Sequence, residues 1–188
     1  MVETISPVVH GGRNRTFWMA MSLHTLGATL SAALLGAGLG TLGSLVGAPY
    51  GELGLYVLAA VALVYLLREV VGLPIPVPSL RKQVPAWWRT FYSRNTTALL
   101  YGLGLGVGYF TYLSYGTFVV VSIAVVMSGD ALIGALVTGC FGLARSTAVA
   151  LAGPVERVEE LATSSIPPSA NAVALGGCCA LALVVVLS

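Results

Sequence analysis

Polar and charged positions in this chain are gathered into a few short stretches, and long apolar runs separate them. Five runs are near or above the ~20 residues needed to cross a bilayer core: residues 16–47, 53–73, 96–128, 131–153 and 169–187. The pattern predicts an all-α integral membrane protein: a bundle of about five transmembrane helices forming one membrane domain. Residues 1–15 are then a tail. Residues 74–95 are a loop that begins in prolines ("PIPVP") and continues basic and aromatic ("LRKQVPAWWRTFYSRN"). Trp and Tyr favour the headgroup zone and Lys and Arg favour anionic lipid, so a short interfacial helix is expected after Pro85.

Composition agrees. Only 9% of residues are charged and 57% are hydrophobic, with mean hydropathy +0.91. Soluble domains carry about 25% charge. The net charge of +2 is too small to point to nucleic acid. Lipid is an expected partner, together with a second copy or other membrane subunits, because the chain is small for a lone transporter. Lys and Arg set the orientation. Arg13 and Arg15 precede the first run; Arg68, Arg81, Lys82, Arg89 and Arg94 follow the second; Arg157 lies after the fourth. The connections at 48–52 and 129–130 carry only Glu52 and Asp130. Positive loops stay in the cytoplasm. The N-terminus is therefore expected in the cytoplasm and the C-terminus outside, in a multi-pass protein of the cell inner membrane. The first run is too long for the apolar core of a signal peptide.

The first and third runs are too long for simple crossings. At 1.5 Å per residue each would make a helix near ~50 Å against a core of about 30 Å. Both cluster glycine: Gly36, Gly38, Gly40 and Gly43 in one, Gly102, Gly104, Gly106 and Gly108 in the other. Each is expected to be a single span, kinked or locally unwound near its glycines. Gly36 with Gly40, Gly102 with Gly106, and Gly104 with Gly108 have the four-residue spacing that lets helix backbones approach in lipid. A broken helix lining a binding site is the alternative. Gly38-x-Gly40-x-x-Gly43 matches the dinucleotide fingerprint by letter but lacks its strand and soluble helix. The two long runs, each followed by a short outer turn with one acid, also hint at a parallel duplicated unit.

Polar groups inside apolar runs are the functional candidates. His24 and Ser31 lie seven residues apart on one helix face. Tyr109, Thr111, Tyr112 and Ser114 follow the second glycine cluster. Arg145 lies 15 residues after Asp130. Together they outline a substrate path between the two glycine-rich helices, unless the hydroxyls simply bond helix backbone and Arg145 snorkels or pairs with Glu69. Asp130 is placed to cap the helix that follows it. Cys140 and the vicinal Cys178 and Cys179 lie in apolar sequence and read as inert, with soft-metal transfer a weak alternative. No metal site or cofactor is expected. No hydrolytic motif is present, and enzyme catalysis is not expected.

The stretches "YGLGLGVGYFT" and "GCFGLARSTAVALAGP" resemble membrane domains of the CcdA/DsbD type, within the LysE-like group of small transporters. That resemblance implies a cytochrome c biogenesis-like scaffold. The relay cysteines of that family are missing here, where the matching zones read "TLSAALLG" and "YFTYLSYG". Three functions follow as expectations. The first is a small transporter or exporter with its polar site between the glycine-rich helices. The second is a non-catalytic accessory or assembly subunit of a larger membrane complex. The third and weakest is thiol-redox or soft-metal transfer.

Overall fold

A computed structural model describes residues 15–48, 50–78, 88–108 and 116–151. The expected fifth span, 169–187, with Cys178 and Cys179, lies outside the described residues, as do Tyr109, Thr111, Tyr112 and Ser114.

The described residues are helical, with no strand among them: α1 (Arg15–Leu45), α2 (Gly51–Val71), α3 (Trp88–Phe91), α4 (Arg94–Gly106), α5 (Thr117–Ser128) and α6 (Ala131–Leu151). Two of them, α1 and α2, are long and apolar enough to cross a membrane by length and composition. Local chemistry sets several ends. The Ser93 hydroxyl accepts the Thr96 N–H at 3.3 Å and starts α4. The Asp130 carboxylate accepts the N–H groups of Leu132 and Ile133 at 2.7 and 3.0 Å and starts α6, satisfying two of the first-turn donors that no helix can pair internally.

Helix α1 is the axis of the bundle and packs against α4, α5 and α6. Its partners' directions follow from which residues meet. His24 lies against Gly102 and Ala28 against Gly106, and farther along Gly43 lies against Val126, so α4 and α5 run parallel to α1. Ala28 meets Gly142, Gly36 meets Gly134 and Gly40 meets Asp130, so α6 runs antiparallel. Helix α2 packs on α5 rather than along α1. It is antiparallel to α5, with Gly54 near Met127 and Tyr65 against Gly116. The second helix of each half therefore leans on the long run of the other half. The turn after α1 and the turn between α5 and α6 meet where Gly129 lies against Ala48.

Side-chain size is distributed in an unusual way. The interior holds Ala20, Ala28, Ala32, Ala62 and Ala98 with glycine, serine and threonine, beside a smaller set of large side chains that includes Phe17, Met21, Tyr101, Leu105 and Phe118. The outside carries the large apolar side chains, among them Leu34 and Leu132 at 68% exposure and Leu53 at 65%. A smaller cluster of Ala62, Tyr65, Val119 and Val120 joins α2 to α5. Ile75 and Val77 of the proline segment pack on it, and the Arg68 Nε donates to the Ile75 carbonyl at 2.7 Å.

The two long runs behave differently at their glycines. The first is one uninterrupted helix of 31 residues, with no break at its glycines. The third carries two described helices, of 13 and 12 residues, and leaves the helical course at its glycines, as expected. Helix α4 ends at Gly106, and Gly108 has φ 68°. That backbone region is open to glycine and strained for most other residues. The interfacial helix after Pro85 is a single turn, "WRTF".

Candidate functional site

The described polar candidates converge on one element, α4. From α1, His24 is fully buried and its Nδ1 lies 3.3 Å from the Ala98 carbonyl of α4. A carbonyl can only accept, so Nδ1 is the donor in this contact. Nε2 is buried without a hydrogen-bond partner. Seven residues farther along α1, the Ser31 hydroxyl donates back to the Gly27 and Ala28 carbonyls at 2.9 and 3.3 Å. A Cβ on Gly106 would strike that hydroxyl. From α6, the Arg145 Nη1 donates to the Leu105 carbonyl at 3.4 Å, and its guanidinium lies 5.9 Å from the Phe141 ring centre.

The position of Arg145 gives it a structural task. Leu105 belongs to the last turn of α4; its carbonyl also accepts the Gly108 N–H at 3.3 Å, so Arg145 is a second donor to it. A half-helix ending inside a bundle leaves such carbonyls buried, and its C-terminal dipole end attracts a cation. In broken helices of ion-coupled proteins that role falls to a bound ion; here the chain's own guanidinium occupies the place. The expected pairing of Arg145 with Glu69 is not found. Glu69 instead forms an ion pair with the adjacent Arg68.

The glycines form the other part of the site. Gly36 and Gly134 face one another: a Cβ on either would collide with the carbonyl of the other. Gly40 lies against the backbone of Asp130 and Ala131, and Gly102 and Gly106 against the carbonyls of His24 and Ala28. Gly104 is half-buried. Gly108 sits beyond the helix end against the Phe118 ring and does not take part in a helix crossing. Across the α1–α6 seam the Thr138 hydroxyl lies within hydrogen-bond reach of both the Ala32 carbonyl, at 2.6 Å, and its own helix's Gly134 carbonyl, at 2.8 Å. Two further buried hydroxyls turn back on their own helices, Ser122 to Phe118 at 2.8 Å and Ser146 to Leu143 at 2.9 Å, while Thr97 donates to the Trp88 carbonyl at 3.2 Å and the Thr29 hydroxyl is buried without a partner.

Sequence reasoning missed α6 as the main partner of α1. Gly134, Thr138 and Gly142 recur every four residues and make one face, a signal present in "GALVTGCFG". Gly27 was also missed; a Cβ there would lie 2.6 Å from the Leu99 carbonyl. Among the described residues no cluster of His, Cys, Asp and Glu is arranged to hold a metal. Cys140 is exposed.

This geometry defines a class: a compact helical bundle whose backbones are brought together through glycine, with its few polar side chains spent on backbone carbonyls. Comparison with known proteins narrows it. The chain is similar to the methylamine utilization protein MauF of Paracoccus versutus, 31% identical over 153 residues, which is 80% of this chain and 56% of the relative. It is similar to MauF of Paracoccus denitrificans, 30% identical over 152 residues, 80% of this chain and 55% of the relative. It is also similar to MauF of Methylophilus methylotrophus, 32% identical over 132 residues, 68% of this chain and 45% of the relative. The chain thus spans about half the length of the curated relatives it matches. No family model matches. No solved structure matches either.

These relatives overturn the resemblance to the CcdA/DsbD and LysE-like proteins, and with it the expectations of transport and of a cytochrome c biogenesis-like role. The error has a physical cause. Glycine at four-residue spacing is what any close crossing of apolar helices demands. The letters that carried the resemblance report crossings such as Gly102 on His24, and unrelated bundles share them.

Proposed function

We propose that this chain is a multi-pass membrane protein that serves methylamine utilization as a non-catalytic accessory, engaging other proteins rather than passing a solute. The observation that carries the accessory role is its similarity to MauF proteins across 80% of its length. The placement of the polar candidates is consistent with it. His24, Ser31 and Arg145 each engage backbone, and the open groove at the surface, bounded by α1 and α6, is lined by none of them.

Membrane embedding is supported by the inverted distribution of side chains. Leucines at more than 60% exposure surround helix seams built of alanine and glycine, although Phe17, Tyr101 and Phe118 are also buried. In water each exposed apolar Å² costs about 25 cal/mol, and patches this large mark contact with lipid or protein. In hydrocarbon the arrangement is natural, because close backbone packing holds the helices together there. Orientation follows from Lys and Arg, with the N-terminus cytoplasmic and the Glu52 and Asp130 turns outside. The crossing glycines turn inward. Partners would therefore be met by other surfaces: the outer leucine faces or the basic, aromatic 74–95 loop.

The test is genetic. In a bacterium growing on methylamine, deletion of the gene should abolish growth on methylamine and leave growth on other substrates intact. Uptake of labelled methylamine should stay unchanged, and this chain should restore growth. Normal growth of the deletion strain on methylamine would overturn the proposal.

A further inference from the structure

The two ends of the bundle differ in charge. At one end, the connections at 48–52 and 129–130 hold Glu52 and Asp130 and no Lys or Arg. At the other, α1 begins at Arg15 and α4 at Arg94, and both arginines are exposed. These two helix starts lie side by side. Gly102 meets His24 and Gly106 meets Ala28, and the same offset carried back along α4 brings Arg94 level with Thr16. The Asn95 amide, 3.7 Å from the Met19 sulfur, ties the two first turns together. No carboxylate balances this pair. The sequence holds no acidic residue between Glu3 and Glu52 or between Glu69 and Asp130. Among the described residues the one ion pair is Arg68 with Glu69.

Aromatic rings stand next to both arginines. Trp18, 54% exposed, is one turn from Arg15, and Phe91 and Tyr92, 76 and 44% exposed, directly precede Ser93 and Arg94. Phe91 and Tyr92 are presented by a pinned element. The Trp88 carbonyl of α3 accepts the Thr97 hydroxyl at 3.2 Å, and the Trp88 ring centre lies 6.0 Å from that of the buried Tyr101. Outward rings on an anchored turn add nothing to the interior of the bundle.

We propose that this end of the bundle is a binding surface for anionic phospholipid of the cytoplasmic leaflet, with Arg15 and Arg94 on headgroup phosphates and Trp18, Phe91 and Tyr92 among the headgroups. The inference rests on the membrane reading above. Charge selects the occupant, because two unbalanced guanidinium groups flanked by aromatic rings match an anionic headgroup layer. Depth agrees. The 31 residues of α1 rise about 46 Å, or about 43 Å at a tilt of about 20°. A bilayer with its headgroups is about 40–45 Å thick. With the Glu52 and Asp130 turns in the outer headgroups, Arg15, Trp18 and Arg94 fall in the inner ones. The length of α1 thus fits a helix that runs through both headgroup layers.

Lipid titration tests this. The purified full chain, delipidated in a neutral detergent, is titrated with phosphatidylglycerol and with phosphatidylcholine, and native mass spectrometry counts the bound lipid. Phosphatidylglycerol should bind about thirtyfold more tightly, about fivefold for each arginine. Arg15→Gln and Arg94→Gln should each lose about fivefold of that preference, and the double variant all of it. Arg94→Lys should keep it, as should Glu52→Gln at the opposite end. Trp18→Ala should weaken both lipids alike, since the ring does not read charge. Equal binding of the two lipids by the parent, or a preference that survives in the double variant, would overturn the proposal. Displacement of phosphatidylglycerol by inorganic phosphate would overturn it in favour of a free anion, and displacement by poly-glutamate in favour of an acidic protein. Release of the chain from its native membrane by alkaline carbonate would remove the membrane reading, and the proposal with it.

Discussion

The first and third apolar runs carry almost the same glycine ladder and come to different ends. Through Gly36, Gly38, Gly40 and Gly43, α1 stays helical for 31 residues. The third run stops at Gly106 and resumes at Thr117. Glycine weakens an isolated helix by about 1 kcal/mol relative to alanine. In α1 that loss is offset by contact: Gly36, Gly40 and Gly43 each hold another backbone. In the third run Gly102 and Gly106 do the same against α1, but Gly108 leaves the helical region and packs under Phe118. The neighbours decide the outcome. A glycine with a backbone across from it holds a helix in place, and one at a helix end beside a cation permits a break.

The largest effect should come from filling a crossing. Gly36→Leu drives a side chain into the Gly134 carbonyl of α6, where backbone cannot yield. Loss of about 3 kcal/mol or more is expected, read as loss of folded protein by denaturation in detergent. If Gly36→Leu left stability unchanged, the α1–α6 crossing would be wrong. Next comes the break. Arg145→Met keeps the volume near Phe141 but leaves the last carbonyls of α4 with one donor fewer. About 2 kcal/mol should be lost, and Arg145→Lys should recover part of it. Equal stability of Arg145→Met and the parent would mean that α4 ends without help from α6.

Smaller is the single side-chain bond across the seam. Thr138→Val preserves shape and removes the donor to Ala32, so a loss of about 0.6–1.7 kcal/mol is expected in the same assay. A gain would show that the hydroxyl is satisfied within its own helix alone. Smallest, and of opposite sign, is Gly38→Ala. Nothing lies within 4 Å of the Cβ it would add, so α1 should gain about 0.5–1 kcal/mol. Gly36 and Gly38 are two residues apart, and the difference in sign between their substitutions sharpens the comparison most.

Much of the helix plan was legible because it depends on local properties. Run lengths located α1, α2 and α6 to within a few residues, and Asp130 marked its own helix start. Partner choice was not legible. Nothing in "LLGAGLGTLG" says that Gly36 meets Gly134 while Gly38 meets nothing, since that depends on which face turns toward a helix about 100 residues away. The glycines marked where the third run could unwind, but not that Gly108 would pack against the Phe118 ring. His24, Ser31 and Arg145 were found as polar residues in apolar sequence. Their attachment to carbonyls of α1 and α4 could be seen only once those helices were placed.

The central claim is that hydrocarbon surrounds this bundle, with the Glu52 turn outside and Ser93 inside. Labelling with a membrane-impermeant maleimide in intact and permeabilised cells tests it directly, using single cysteines in a background with the three native cysteines replaced by serine. Glu52→Cys should react in intact cells, Thr90→Cys only after permeabilisation, and Leu63→Cys and Leu136→Cys, both on exposed faces within α2 and α6, in neither. Rapid labelling of Leu63→Cys and Leu136→Cys by the water-borne reagent would show that water covers those leucines, and the account would fail.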